Sequence, residues 1–194
     1  MSETARVVES TLRGFVCAYP SYTEAPFALG QLLVVREGPV AVFGVAADVA
    51  SGPEDPSRPL QARGGPGETA ASVMANNPEI RMLLRTRVTV ATCGYSTGGV
   101  PRPHLPPAPA PLLATADAAD MIETMNLTGD GAFLAPLIAS PVCDDAVIAA
   151  AIRLAARSFG TESREFTVRT GKELARLLKA EPARLTSILR GVTE

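Results

Sequence analysis

Leu29-Gly30-Gln31-Leu32-Leu33-Val34-Val35-Arg36-Glu37-Gly38-Pro39-Val40-Ala41-Val42-Phe43-Gly44-Val45-Ala46-Ala47-Asp48-Val49 is the stretch on which the fold turns. Leu29 to Arg36 and Val40 to Val49 are apolar runs rich in β-branched residues. Between them lies Glu37-Gly38-Pro39, which carries both a glycine and a proline. Two such runs a few residues apart predict an antiparallel hairpin.

Outward from the hairpin, further strands are expected. Leu12 to Tyr19 is a short β-prone run. Arg87-Val88-Thr89-Val90-Ala91-Thr92-Cys93 alternates, with Val88 and Val90 on one face and Arg87 and Thr89 on the other. That is the pattern of a half-buried strand. Ala50 to Thr69 reads as a Gly- and Pro-rich loop. Asn77-Pro78-Glu79-Ile80-Arg81-Met82-Leu83-Leu84 predicts a short helix capped by Asn77. Several short strands and one helix within the first 97 residues predict a small barrel, because closure removes exposed strand edges.

Residues 98–112 hold six prolines in fifteen positions. Proline fixes φ and lacks an amide donor, so this segment predicts an extended linker. Beyond it the apolar period lengthens and a helical unit over 113–194 is expected. Helices are predicted over Asp117 to Met125, around Phe133 to Ile138, over Asp144 to Arg157 and from Pro182 onward. Phe166-Thr167-Val168 reads as a short strand or extended turn, and Thr170 with Glu173 as a capping box for a helix through Leu178. The fold class expected is therefore α+β: barrel 1–97, linker 98–112, helical unit 113–194.

The chain has 194 residues, 46% hydrophobic, with a formal net charge of -2. A disordered chain combines low hydrophobicity with high charge, so that class is excluded. Residues 1–150 carry 9 Lys/Arg against 15 Asp/Glu, whereas residues 151–194 carry 9 against 5. The last part is thus basic. Lys172, Arg176 and Lys179 recur at i, i+4 and i+7, one helix face, and Arg184 follows. These four are the candidate interaction residues, a patch for phosphates or an acidic partner. Glu173 to Gly191 resembles a bacterial helix-turn-helix, but Lys179 stands where such a turn favours glycine.

Chemistry-bearing patterns are missing. Gly171-Lys172 has no upstream glycine for a phosphate loop, and no G-x-S-x-G elbow occurs. Cys17, Cys93 and Cys143 are scattered, and His104 is the one histidine. Metal cages need clustered ligands, so neither metal nor cofactor is expected. The N-terminal residues Met-Ser-Glu-Thr-Ala-Arg do not form a signal peptide, no run suits a bilayer, and a cytoplasmic, non-enzymatic protein is expected.

Residues 8–96 resemble the HAS-barrel family, the small barrel of HerA-type translocases and ATP synthases. The resemblance lies in Gly14-Phe15-Val16, Gly30-Gln31-Leu32-Leu33-Val34-Val35, Val42-Phe43-Gly44-Val45-Ala46-Ala47-Asp48, and Asn77-Pro78-Glu79-Ile80 leading into Val88-Thr89-Val90 and Gly94. In that family the barrel precedes a motor and helps subunits assemble into a ring. Here no motor follows. The resemblance implies an assembly or accessory role with a protein partner, either a second copy or a HerA-like ATPase in DNA processing. The alternative is a nucleic-acid-binding accessory protein that uses the basic C-terminal helices.

Overall fold

The computed structural model describes residues 4–55, 57 and 60–193. Met1–Glu3 of the expected signal-free terminus and Pro56, Arg58 and Pro59 of the expected 50–69 loop lie outside the described residues. The architecture is α+β: a closed six-stranded barrel with helices following it. The strands are β1 (Ala5–Ser10), β2 (Gly14–Ala18), β3 (Leu32–Glu37), β4 (Val40–Pro53), β5 (Leu84–Thr97) and β6 (Thr115–Ala118). Their order around the barrel is β1-β2-β5-β4-β3-β6, with antiparallel pairing throughout.

The hairpin forms as its sequence predicts, with a tighter turn. Glu37 pairs with Val40, leaving only Gly38 and Pro39 between the strands. Gly38 has φ +56°, the left-handed geometry that short hairpin turns require. The long apolar runs have a simple cause: Leu33 to Val35 in β3 and Ala41 to Ala47 in β4 are buried on both faces. Leu33, Val35, Val42 and Ala46 point into the barrel with Phe15, Val88 and Val90. Val34, Phe43, Val45, Ala91 and Cys93 point outward and share a second core with the helices. Each large side chain so buried stabilises by roughly 1.5–3 kcal/mol.

Two strands were not expected. β1 lies in a segment with only three apolar positions, and its alternation Ala5, Val7 inward against Arg6, Val8 outward is short. β6 lies beyond the proline segment, inside the span 113–194 expected to be helical, and it pairs with both β1 and β3 to close the barrel. The proline segment therefore returns the chain to the barrel. Its Ala110 is buried in the barrel core, and Arg102 pairs with Tyr95 through two backbone hydrogen bonds of 2.7 and 3.0 Å.

The helices are α1 (Ala70–Asn76), α2 (Glu79–Leu83), α3 (Met121–Thr128), α4 (Leu134–Ile138), α5 (Asp145–Ser158), α6 (Ser163–Leu177) and α7 (Pro182–Thr193). Several expectations need correction. Asn77 ends α1, its side chain donating to the Val73 carbonyl, and does not cap α2. β4 runs to Pro53, so the first residues of the expected loop are strand. The helix expected from Asp117 begins at Met121, because Asp117 is in β6 and Asp120 is the cap. Asp120 and Glu123 form a reciprocal capping box at 2.8 and 3.0 Å.

Phe166, Thr167 and Val168 are helical, and Thr170 sits inside α6 without capping anything. The reason is packing. Phe166, Thr170 and Leu174 recur at i, i+4 and i+8 and are all fully buried. Phe166 also stacks on Phe159 at 4.3 Å. By contrast α5 follows its sequence signal closely: Asp144 caps it at 2.8 Å, and Val147, Ile148, Ala151, Ile152 and Ala155 are buried.

Candidate functional site

The four candidate basic residues occupy the α6–α7 hairpin, but they do not form one free cluster. Arg176 is engaged by Glu173 one turn earlier, at 2.5 and 2.8 Å. This pair holds the Glu173 carboxyl below the usual glutamate range and raises Arg176 above its own. Arg184 reaches across to Asp145 at the start of α5 at 2.9 Å, and to Glu181 at 3.7 Å. Lys179 lies in the turn after α6, past its last helical residue. Lys172 and Lys179 are exposed, and neither forms an ion pair among the described residues. Two of the four guanidinium and ammonium groups therefore already have carboxylate partners.

A second basic surface, which the sequence reading missed, lies on the barrel. The core shared with the helices takes outward side chains from β3, β4 and the second half of β5 and none from β1 or β2. On the wall of β1, β2 and the first half of β5, Arg6, Val8 and Arg87 are exposed, Val16, Ala18 and Thr89 are half-buried, and Ser140, Pro141 and Val142 border it. There Arg6 pairs in register with Ala18, and Ala18 with Arg87. Adjacent strands are about 4.8 Å apart, so the two arginines flank the small alanine across about 10 Å. Arg85 and Arg13 lie on the same wall. Arg87 meets Glu9 at 3.3 Å and Arg85 meets Glu54 at 2.8 Å. Two shallow hollows of about 320 and 370 Å³ run along it. Val8, Leu12, Leu113 and Val142 are exposed beside them. The pattern was legible only as alternation within β1, which is short, and the negative sum for residues 1–150 masked it.

At the barrel's end a larger open cavity of about 680 Å³ is lined by Tyr19, Tyr22, Phe27, Arg81 and Asp117 among others. Arg81 is tied to Glu24 at 2.6 Å, and the Tyr19 hydroxyl accepts from the Phe27 amide at 3.2 Å. The groups that do chemistry elsewhere are placed for packing. Cys17, Cys93 and Cys143 are free thiols, all buried. Burial pushes Cys17 up to about 12 and Cys143 up to about 11, and raises Cys93 as well. A thiol so raised is a poor nucleophile. His104 is exposed on the proline segment. Among the described residues, no three His, Cys, Asp or Glu side chains converge as a metal cage. No described helix is long and apolar enough to cross a membrane.

No protein-family model matches this chain, and no curated protein sequence matches it.

Proposed function

We propose that this chain is a non-enzymatic assembly or accessory protein of the HAS-barrel kind, acting in the cytoplasm. Its partner is a second copy or a HerA-like ring ATPase in DNA processing. The observation that carries this reading is the exposed part of the barrel wall around Arg6, Val8, Arg87 and Leu113. A closed barrel has no free sheet edge to protect, and its core is already complete. Exposed Val8 and Leu113 line one hollow with Arg6, Arg85 and Arg87 and add nothing to that core. Arginine is among the residues enriched at protein interfaces.

The nucleic-acid alternative draws less support. Arg176 and Arg184 are committed to carboxylates inside the chain. The exposed wall offers aliphatic side chains where single strands need aromatic stacking platforms. The test is light scattering of the chain alone and with a purified HerA-type ATPase, beside a titration with single- and double-stranded DNA at two salt concentrations. A mass above 20.2 kDa, alone or with the ATPase, supports the reading. A lone monomer under both conditions overturns it, and DNA binding that weakens steeply with salt favours the alternative.

A further inference from the structure

The hollow of about 320 Å³ on the barrel wall is lined by three guanidinium groups and one carboxylate: Arg6, Arg85 and Arg87 against Glu54. Val8 and Leu113 supply its exposed aliphatic surface. The three arginines are not equally satisfied. Arg85 meets Glu54 at 2.8 Å, and Arg87 meets Glu9 at 3.3 Å. Arg6 donates to the Leu113 carbonyl, a neutral acceptor, at 2.8 Å and forms no ion pair among the described residues. Its charge is left without a counter-ion beside an exposed leucine.

Leu113 adds an independent observation. It is the one described non-glycine residue with positive φ, at 64°. That backbone geometry is strained for a residue with a Cβ and favours glycine. The backbone itself has a task there: the Leu113 amide donates to the Val7 carbonyl and the Leu113 carbonyl accepts from Arg6, both at 2.8 Å. Glycine would make the same two bonds without strain. Leucine instead adds a side chain that is 68% exposed, so the monomer gains little burial from it. Strain kept at an exposed position points to a use outside the fold.

Resting on the assembly reading above, we propose that this hollow takes an acidic-aliphatic segment of a partner protein, in which leucine or isoleucine is flanked by carboxylates. The aliphatic side chain covers Leu113 and Val8, and the carboxylates pair with Arg6 and Arg87. Donors remain for this. Arg6 spends Nη1 on the Leu113 carbonyl and Arg87 spends Nη1 on Glu9, whereas a guanidinium carries five N–H donors. The excess of guanidinium over carboxylate in the lining is complementary to such a segment. A phosphate backbone suits the hollow less well. Glu54 stands within it and Glu9 beside it, and a nucleic acid brings no aliphatic side chain to cover Leu113 and Val8.

The test is fluorescence anisotropy of the full chain with a labelled peptide, Gly-Asp-Glu-Leu-Leu-Glu-Asp-Gly. Two control peptides carry lysine for every acid or serine for both leucines. The acidic leucine peptide should bind at least tenfold more tightly than either control at about 50 mM salt, and more weakly at about 500 mM, where exposed charges are screened. Leu113→Gly removes the side chain and relieves the strain, so it should raise thermal stability while weakening the peptide at least tenfold. Arg6→Gln should weaken it similarly, and Arg164→Gln on α6 should leave it unchanged. The serine or lysine peptide binding as well as the leucine one overturns the proposal, as does Leu113→Gly binding like the wild type. Displacement of the peptide by an equal concentration of single-stranded DNA overturns it in favour of a nucleic acid. Light scattering separates this failure from that of the broader reading. A chain that ignores the peptide but still self-associates or binds the ATPase overturns only the assigned occupant, and one that binds none of them overturns both.

Discussion

Replacing Gly30 by alanine separates the packing of helices on the barrel from simple backbone strain. Gly30 has φ +80°, and a Cβ there would lie 2.5 Å from the Ala150 carbonyl carbon and 2.6 Å from the Ala151 amide nitrogen. Those are backbone atoms in the middle of α5, so they cannot swing aside. Gly38 is the control: its φ is +56°, but an added Cβ would meet nothing within 4 Å. Both substitutions incur left-handed strain, about 1 kcal/mol. Only Gly30→Ala also forces the barrel away from α5, at a further cost of roughly 2 kcal/mol by analogy with overpacked cores. Gly38→Ala should therefore lose about 1 kcal/mol and Gly30→Ala about 3. For a chain of this length each kcal/mol lowers Tm by about 2–4 °C, so the two variants should fall by about 3 °C and about 9 °C. Guanidinium and thermal unfolding followed by far-UV circular dichroism measure both. Equal losses for the two variants would show that α5 is not seated on this loop, and the shared core described above would be refuted.

Other expectations concern individual groups. The three thiols should not react with an aromatic disulfide reagent at about pH 8 in the native protein, and all three should react once it is unfolded; one fast native thiol would contradict their burial. Asp120→Ala removes the capping box of α3 and should cost about 1 kcal/mol in chemical unfolding; no loss would mean the cap is solvated. Glu173 is held below the ordinary glutamate range by the Arg176 hydrogen bond. Its contribution to stability is present above the unfolded glutamate value and is lost as pH falls through the lowered one. Arg176→Ala should move its NMR titration midpoint up toward the ordinary value, and an unmoved midpoint would refute the pairing.

The elements that the sequence made legible are those where one force dominates. The β3–β4 hairpin and α5 carry long apolar runs with turn or cap residues at their ends, and both appear within a few residues of expectation. Local signals misled wherever tertiary packing overrode them. Thr170 and Glu173 have the spacing of a capping box, yet Phe166 is needed in the core and the helix starts seven residues earlier, at Ser163. Gly171 in the middle of α6 further hides its apolar stripe. β6 is four residues long and has no strong β signal; it exists because β1 and β3 both lack a partner on that side. The candidate site fared similarly. Helical spacing placed Lys172 and Arg176 on one turn of α6, but nothing local shows that Glu173 and Asp145 claim Arg176 and Arg184. Arg6 and Arg13 lie about 70 or more residues before Arg85 and Arg87 in the chain, so only strand register brings the two pairs together.

The most direct test of the assembly account is the mass of the unmodified chain as a function of concentration, alone and with a purified HerA-type ATPase. The exposed wall of aliphatic and arginine side chains predicts a mass that rises above 20.2 kDa in at least one of the two conditions. A value of 20.2 kDa for the chain at every concentration in both would contradict it.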